Sequence, residues 1–320
     1  MDIHTVYALI GFMLAAYSVV GNDSVQTLGT FIASNHKVFK WYWLWLAASA
    51  VLIATLTYSW IVYNGDISFG RLEKIPYVQI EWYHAAAPLV LVVLTRFGLP
   101  VSTTFLVLST FASTMVLQSM LVKSMVGYSI AAVLAYMVWM VVARFLNEKY
   151  DKVKKENRTL WRILQWLATG FLWFSWLSHD MANIAVFLPR QLPLELFAGA
   201  LAVLCFWLGV IFFTHGGKIQ KVVLEKSGTR FMRSATIIDF VYALILIYFK
   251  EMNSIPMSTT WVFVGLLTGR ELAIATTYRE RYHFGYVFPL IGKDFLKIMI
   301  GLAVSIGLVM AINYGIYGQE

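Results

Sequence analysis

Apolar positions in this chain come in long runs, not in alternation, and the runs are cut at short polar clusters. The first run, Ile3 to Val20, breaks at Gly21-Asn22-Asp23-Ser24 and resumes from Val25 to Ala33. An apolar run interrupted in this way predicts a discontinuous membrane helix. After His36, Lys37 and Lys40 comes a full span, about Trp41 to Tyr63, flanked by interfacial aromatics. The chain is apolar again from about Trp82, but Gly98 and Pro100 divide it into pieces shorter than the roughly 20 residues a crossing needs. That pattern predicts a re-entrant helical hairpin with its tip at Leu99–Thr104. A further span, about Val126 to Leu146, closes the first half.

The pattern then repeats. Asn147 to Arg162 is the most charged stretch, with Lys149, Lys152, Lys154, Lys155, Arg158 and Arg162 against three acids, and it predicts a cytoplasmic linker at 147–160. Beyond it, Trp161 to Leu177 is apolar and is interrupted by Ser178-His179-Asp180-Met181-Ala182-Asn183. A span follows at about Leu194 to Phe213. Next come a loop with Lys218, Lys221, Lys226, Arg230 and Arg233, and a run from Ala235 to Phe249 that holds Asp239. Leu99-Pro100-Val101-Ser102-Thr103-Thr104 returns as Ile255-Pro256-Met257-Ser258-Thr259-Thr260, and the last span is about Val287 to Ile312. Asp23 and Asp180 lie 157 positions apart, and Pro100 and Pro256 lie 156 apart. Two markers with nearly one offset indicate an internal duplication. The expected architecture is an all-α polytopic membrane protein of two inverted-topology repeats, 1–146 and 161–320, with broken helices and re-entrant hairpins.

Composition narrows the class. The 320 residues are 59% hydrophobic and 13% charged, with a mean hydropathy of +0.69. Soluble chains carry about 25% charge, so the protein belongs in a bilayer. The net charge of +8 does not call for nucleic acid, because the basic residues gather in a few loops as the positive-inside bias expects. One cysteine, Cys205, excludes a disulfide framework within the chain and a cysteine metal cluster. If each hairpin returns to the side it left, the neutral loop 64–76 faces out. The basic loop 214–233, the linker and the Arg270–Arg281 segment then face the cytoplasm.

The polar clusters carry the chemistry. Proline at a first helical turn starts a helix at no hydrogen-bond cost, and the hydroxyls behind it can cap free N–H groups or bond a ligand. A helix start inside an apolar protein suits an anion. A carboxylate at mid-membrane costs roughly 2.5–3.5 kcal/mol on insertion scales, so Asp23 and Asp180 each need a cation, a partner or a proton.

The paired breaks and hairpins resemble the inorganic phosphate transporter family, which carries two GANDVANAxGT-like and two PVSTTH-like motifs in inverted repeats. The segments here are GNDSVQTLGTFIAS, SHDMANIAVFLP, GLPVSTTF and SIPMSTTW, with GGKIQKVV similar to the family's glycine-lysine segment. The resemblance covers nearly the whole chain. It implies a secondary transporter of inorganic phosphate or a related tetrahedral oxyanion in the cytoplasmic (inner) membrane, coupled to sodium or protons, with no catalytic residue and no other cofactor. It also implies a homodimer. Asn22, Asp23, Asp180 and Asn183 match the first motif pair. Ser102, Thr103, Thr104, Ser258, Thr259 and Thr260 match the second. Gln26 stands where the family has a second asparagine, His179 replaces asparagine, and Phe105 and Trp261 replace histidines. The departures leave the coupling ion and the choice among oxyanions, sulfate included, open.

On this reading the substrate takes hydroxyl bonds from Ser102, Thr103, Thr104, Ser258, Thr259 and Thr260, with Gln26 and Asn183 beside them. The coupling ions sit with Asn22, Asp23, His179 and Asp180, and sodium, if it is the coupling ion, binds at Asp23 and Asp180. No arginine or lysine lies in the four motifs, so the anion is expected to rely on helix dipoles and co-bound cations. His179 is either a neutral core histidine or a proton acceptor beside Asp180. Asp239 and Glu81 either line the pathway or pair with polar neighbours. An intramembrane enzyme is the rival class, but the chain has no His-Glu-x-x-His, no Gly-x-Ser-x-Gly and no phosphate-loop lysine. A passive channel or a receptor is the other rival.

Overall fold

A computed structural model describes residues 2–96, 101–145, 158–216, 232–252, 254–277 and 284–315. Among these the regular structure is helical, with no strand. The first half contains α1 (Ile3–Asn22), α2 (Ser24–Asn35), α3 (Trp41–Val62), α4 (Trp82–Arg96), a π-helical turn (Thr104–Leu108) and α5 (Thr114–Phe145). The second contains α6 (Arg158–Asp180), α7 (Ala182–Ala185), α8 (Leu194–Phe213), α9 (Met232–Met252), α10 (Thr259–Thr277) and α11 (Phe284–Gly315).

Among the described residues, five stretches are long and apolar enough to cross a bilayer: α1, α3, α8, Thr114–Val141 of α5 and Val287–Ile312 of α11. Their outward faces carry large apolar side chains such as Leu46, Ile61, Phe206 and Phe288. α4 is apolar but only 15 residues long, too short to cross alone. α10 is buried along most of its length. It packs closely on α5, where a Cβ at Gly265 or Gly269 would run into the carbonyl oxygen of Tyr128 or Ala132. α1 packs on α4 as α6 packs on α9, and α1 meets α8 as α6 meets α3. Each of these pairs becomes its counterpart when the halves are exchanged.

Several boundaries differ from the sequence expectation. The two helix breaks are narrow. Asp23 alone separates α1 from α2, and Met181 alone separates α6 from α7, both with right-handed helical dihedrals. The chain kinks there without unwinding. The span expected from Val126 begins at Thr114, because the polar side chains ahead of it bond back into the helix. The Ser119 hydroxyl donates to Met115 O and the Ser124 hydroxyl to Met120 O. Arg270, expected in a cytoplasmic loop, is buried in α10, beside Glu271 (3.3 Å) and over the Trp139 ring. Residues 158–160 of the expected linker belong to α6. Its remainder lies outside the described residues, as do Pro100, Lys218, Lys221, Lys226, Arg230, Arg281 and His283.

Candidate functional site

The two Ser-Thr-Thr segments start helices in the same way. Ser102 Oγ accepts the N–H of Phe105, and Ser258 Oγ accepts the N–H of Trp261, both at 3.2 Å. Each serine therefore satisfies an orphan donor of the turn it opens, as an N-cap does. The segments also meet. The rings of Phe105 and Trp261 lie 5.7 Å apart, and Thr104 Oγ1 lies 3.3 Å from Met257 O, its one hydrogen shared between that carbonyl and Asp180.

The kinks bring the carboxylates to this meeting point. Asp23 Oδ1 accepts from Asn22 Nδ2 (2.8 Å) and Gln26 Nε2 (3.3 Å), and Asp23 Oδ2 accepts from Thr103 Oγ1 (2.5 Å). Asp180 Oδ1 accepts from Asn183 Nδ2 (2.9 Å) and Thr104 Oγ1 (3.3 Å). Asn183 Nδ2 also reaches Thr103 Oγ1 (3.1 Å) and Thr104 Oγ1 (3.4 Å), while Gln26 Nε2 reaches Thr260 Oγ1 (3.4 Å). The broken helices and both hairpins thus form one buried polar network. Gln26 stands to Asp23 as Asn183 stands to Asp180, three residues on and donating to the same carboxylate oxygen. Thr259 enters through both its backbone, whose carbonyl accepts from Tyr242 OH (2.9 Å), and its side chain, which faces the Asp180 carboxylate.

Among the described residues, three buried oxygens in this network have no hydrogen-bond partner: Gln26 Oε1, Asp180 Oδ2 and Asn183 Oδ1. Leaving an acceptor dry and unpaired costs about 1–3 kcal/mol. Hard oxygens of this kind, one of them a carboxylate, suit a small cation such as sodium.

His179 is buried with its ring tied down. Nε2 lies 2.6 Å from Leu246 O, which requires the hydrogen on Nε2, and Nδ1 is left without a partner. Asp239 and Glu81 are paired. Asp239 accepts from Thr30 (3.1 Å) and Thr169 (2.6 Å), and Glu81 meets His4 (3.3 Å) away from the network.

Sequence reasoning missed two basic residues. Arg71, in the loop expected to be external and neutral, folds inward and is 1% exposed. Its Nε donates to Ser178 O (2.9 Å) and its Nη1 to Ile255 O (3.4 Å), two residues before Asp180 and one before Pro256. Lys123 Nζ donates to the same Ile255 carbonyl (2.8 Å). The motifs contain no cation, but the fold brings two to their edge. No sequence signal marks Arg71, because its neighbours Asp66, Glu73 and Lys74 give the loop the look of an ordinary solvated turn.

No family model matches the chain, and no curated protein matches it. A solved structure described as the sodium-dependent phosphate transporter superposes with a TM-score of 0.64 at 18% identity, over 99% of this chain and 98% of that one. The two share a fold. The chain is accordingly an integral, multi-pass, all-α membrane protein. The match runs end to end, so the kinked helices and the hairpins lie inside the shared architecture and are not additions to it.

Proposed function

We propose that this protein is a cation-coupled secondary transporter of inorganic phosphate, or of a related tetrahedral oxyanion, across the cytoplasmic membrane. The observation that carries the reading is the join between the carboxylates. Asp23 and Asp180, from the two halves, are bridged through Thr103 and Asn183 where the two serine-capped helix starts meet. A helix start offers N–H groups and hydroxyls to an anion, and the unpartnered oxygens beside it offer ligands to a cation. The likeness to a sodium-dependent phosphate transporter supports the same pairing of substrates.

The coupling follows from charge. Two carboxylates would repel a nearby anion unless cations neutralise them, so each kind of ion raises the affinity for the other. Sodium is the reading the oxygen ligands favour, at Asp23 and Asp180 with Asn22, Gln26 and Asn183. The proton alternative, an oxyanion permease driven by pH, rests on the unpartnered Nδ1 of His179. The exchange of packing pairs between halves supports an inverted repeat, and a homodimer follows from the family resemblance alone. The deciding experiment uses purified protein in proteoliposomes and radiolabelled phosphate. Accumulation under an imposed sodium gradient, and none without it, is the expected result. Equilibration without accumulation under either a sodium or a proton gradient would make the protein a channel.

A further inference from the structure

Arg71 is a buried charge with no carboxylate within ion-pair distance among the described residues. Two of its five N–H groups are spent, on the carbonyls of Ser178 and Ile255. Its Nη2 lies 3.5 Å from His179 Nε2, but that nitrogen already gives its hydrogen to Leu246 O at 2.6 Å. Donor therefore faces donor, and the contact supplies no acceptor. Three N–H groups remain, on the Nη1–Nη2 edge that binds oxyanions in a fork.

A plain structural role accounts for only part of this. Ser178 O belongs to the last turn of α6, so the guanidinium caps a helix C-terminus and complements its dipole. A cap needs one N–H, and a neutral donor would serve. Asp180 and Glu251 supply negative charge around the guanidinium, but neither forms an ion pair with it among the described residues, and capping does not explain why a full charge is kept dry without a directly bound counter-ion. Nor does it explain the second cation, Lys123, on the same Ile255 carbonyl. That carbonyl opens the segment leading through Pro256 to Ser258, Thr259 and Thr260.

We propose that Arg71 is a direct ligand of the transported oxyanion, the fixed positive charge that the four motifs lack, supplied from the loop between α3 and α4. Its unspent N–H pair takes two oxygens of the anion as it passes between the end of α6 and the second hairpin. Arginine fits this task better than lysine, since its planar fork matches two oxygens at once. The inference rests on the transport reading above and deepens it by naming a residue that determines substrate affinity.

The test compares wild type, Arg71→Lys and Arg71→Gln in proteoliposomes, with phosphate KM and maximal uptake measured separately at saturating sodium. Thermal melts in detergent establish folding. Arg71→Gln should raise the phosphate KM about tenfold or more. Arg71→Lys, which keeps the charge but loses the fork, should fall between the two. The sodium concentration for half-maximal uptake, taken at saturating phosphate, should not move. A folded Arg71→Gln with wild-type KM and only a lower maximal rate would overturn the inference and leave Arg71 as a helix cap. Should Arg71→Gln fail to fold, an unchanged KM in Arg71→Lys overturns it equally. If the wild type itself accumulates no phosphate, the transport reading has failed, and the inference that rests on it falls with it.

Discussion

Asn183, on the short helix after the second kink, donates to the hydroxyl of Thr103 at the start of the first hairpin helix, at 3.1 Å. Thr103 passes its own hydrogen to Asp23 at 2.5 Å. One hydroxyl therefore holds the two halves of the chain in register at their most polar point. Thr103→Val keeps the volume, removes the bridge and strands a carboxylate oxygen. The expected loss is about 1–3 kcal/mol of stability, read as a lower melting temperature, with uptake lost. Thr103→Ser restores the bridge and should restore both.

Asp23→Asn and Asp180→Asn remove the charges proposed to hold the coupling ions. Sodium should raise the melting temperature of the wild type, by linkage to the folded state, and should do so less in either variant. Sodium-driven phosphate accumulation should disappear in both. If both variants transport normally, the site assignment is wrong.

His179→Gln separates the two coupling modes. Its amide can still donate to Leu246 O, but no ring nitrogen is left to take a proton. On the sodium reading, sodium-driven uptake persists with an unaltered dependence on external pH. Loss of uptake in a protein that melts like the wild type would favour the proton reading.

Gly265 and Gly269 let α10 lie against the backbone of α5, with the carbonyl oxygens of Tyr128 and Ala132 where a Cβ would be. Overpacking of this kind costs typically about 1–3 kcal/mol, and a backbone obstacle cannot rotate away as a side chain can. Gly269→Ala should therefore lower yield and melting temperature sharply. Gly285→Ala, with open space around its Cβ position, should be close to neutral.

Much of the fold was legible because its signals are local. Apolar runs give spans, and a repeated spacing of 156 to 157 residues points to a duplication. The same spacing pairs Gln26 with Asn183, and the structure gives them the same bond to the same oxygen of their aspartates. What the sequence hid is long-range or self-concealing. Arg71 reaches Ser178 and Ile255 across more than a hundred positions of chain, and no pattern in its own loop announces that. The serines at the start of α5 look polar but return their hydrogens to their own helix, so the span is longer than hydropathy suggests. The polar clusters predict discontinuous helices, and the sequence does not show how narrow the breaks are: one residue each, Asp23 and Met181, both with helical dihedrals.

The two serine caps carry a consequence for what can enter. Ser102 and Ser258 each spend oxygen capacity on a backbone N–H, and neither hydroxyl hydrogen is committed to another described residue. Each oxygen keeps one lone pair beside its free hydrogen, so both groups can give to a bare oxygen or receive a proton-bearing one. The two hairpin mouths therefore accept a guest in either protonation state, and any choice between those states falls to the charged groups beside them.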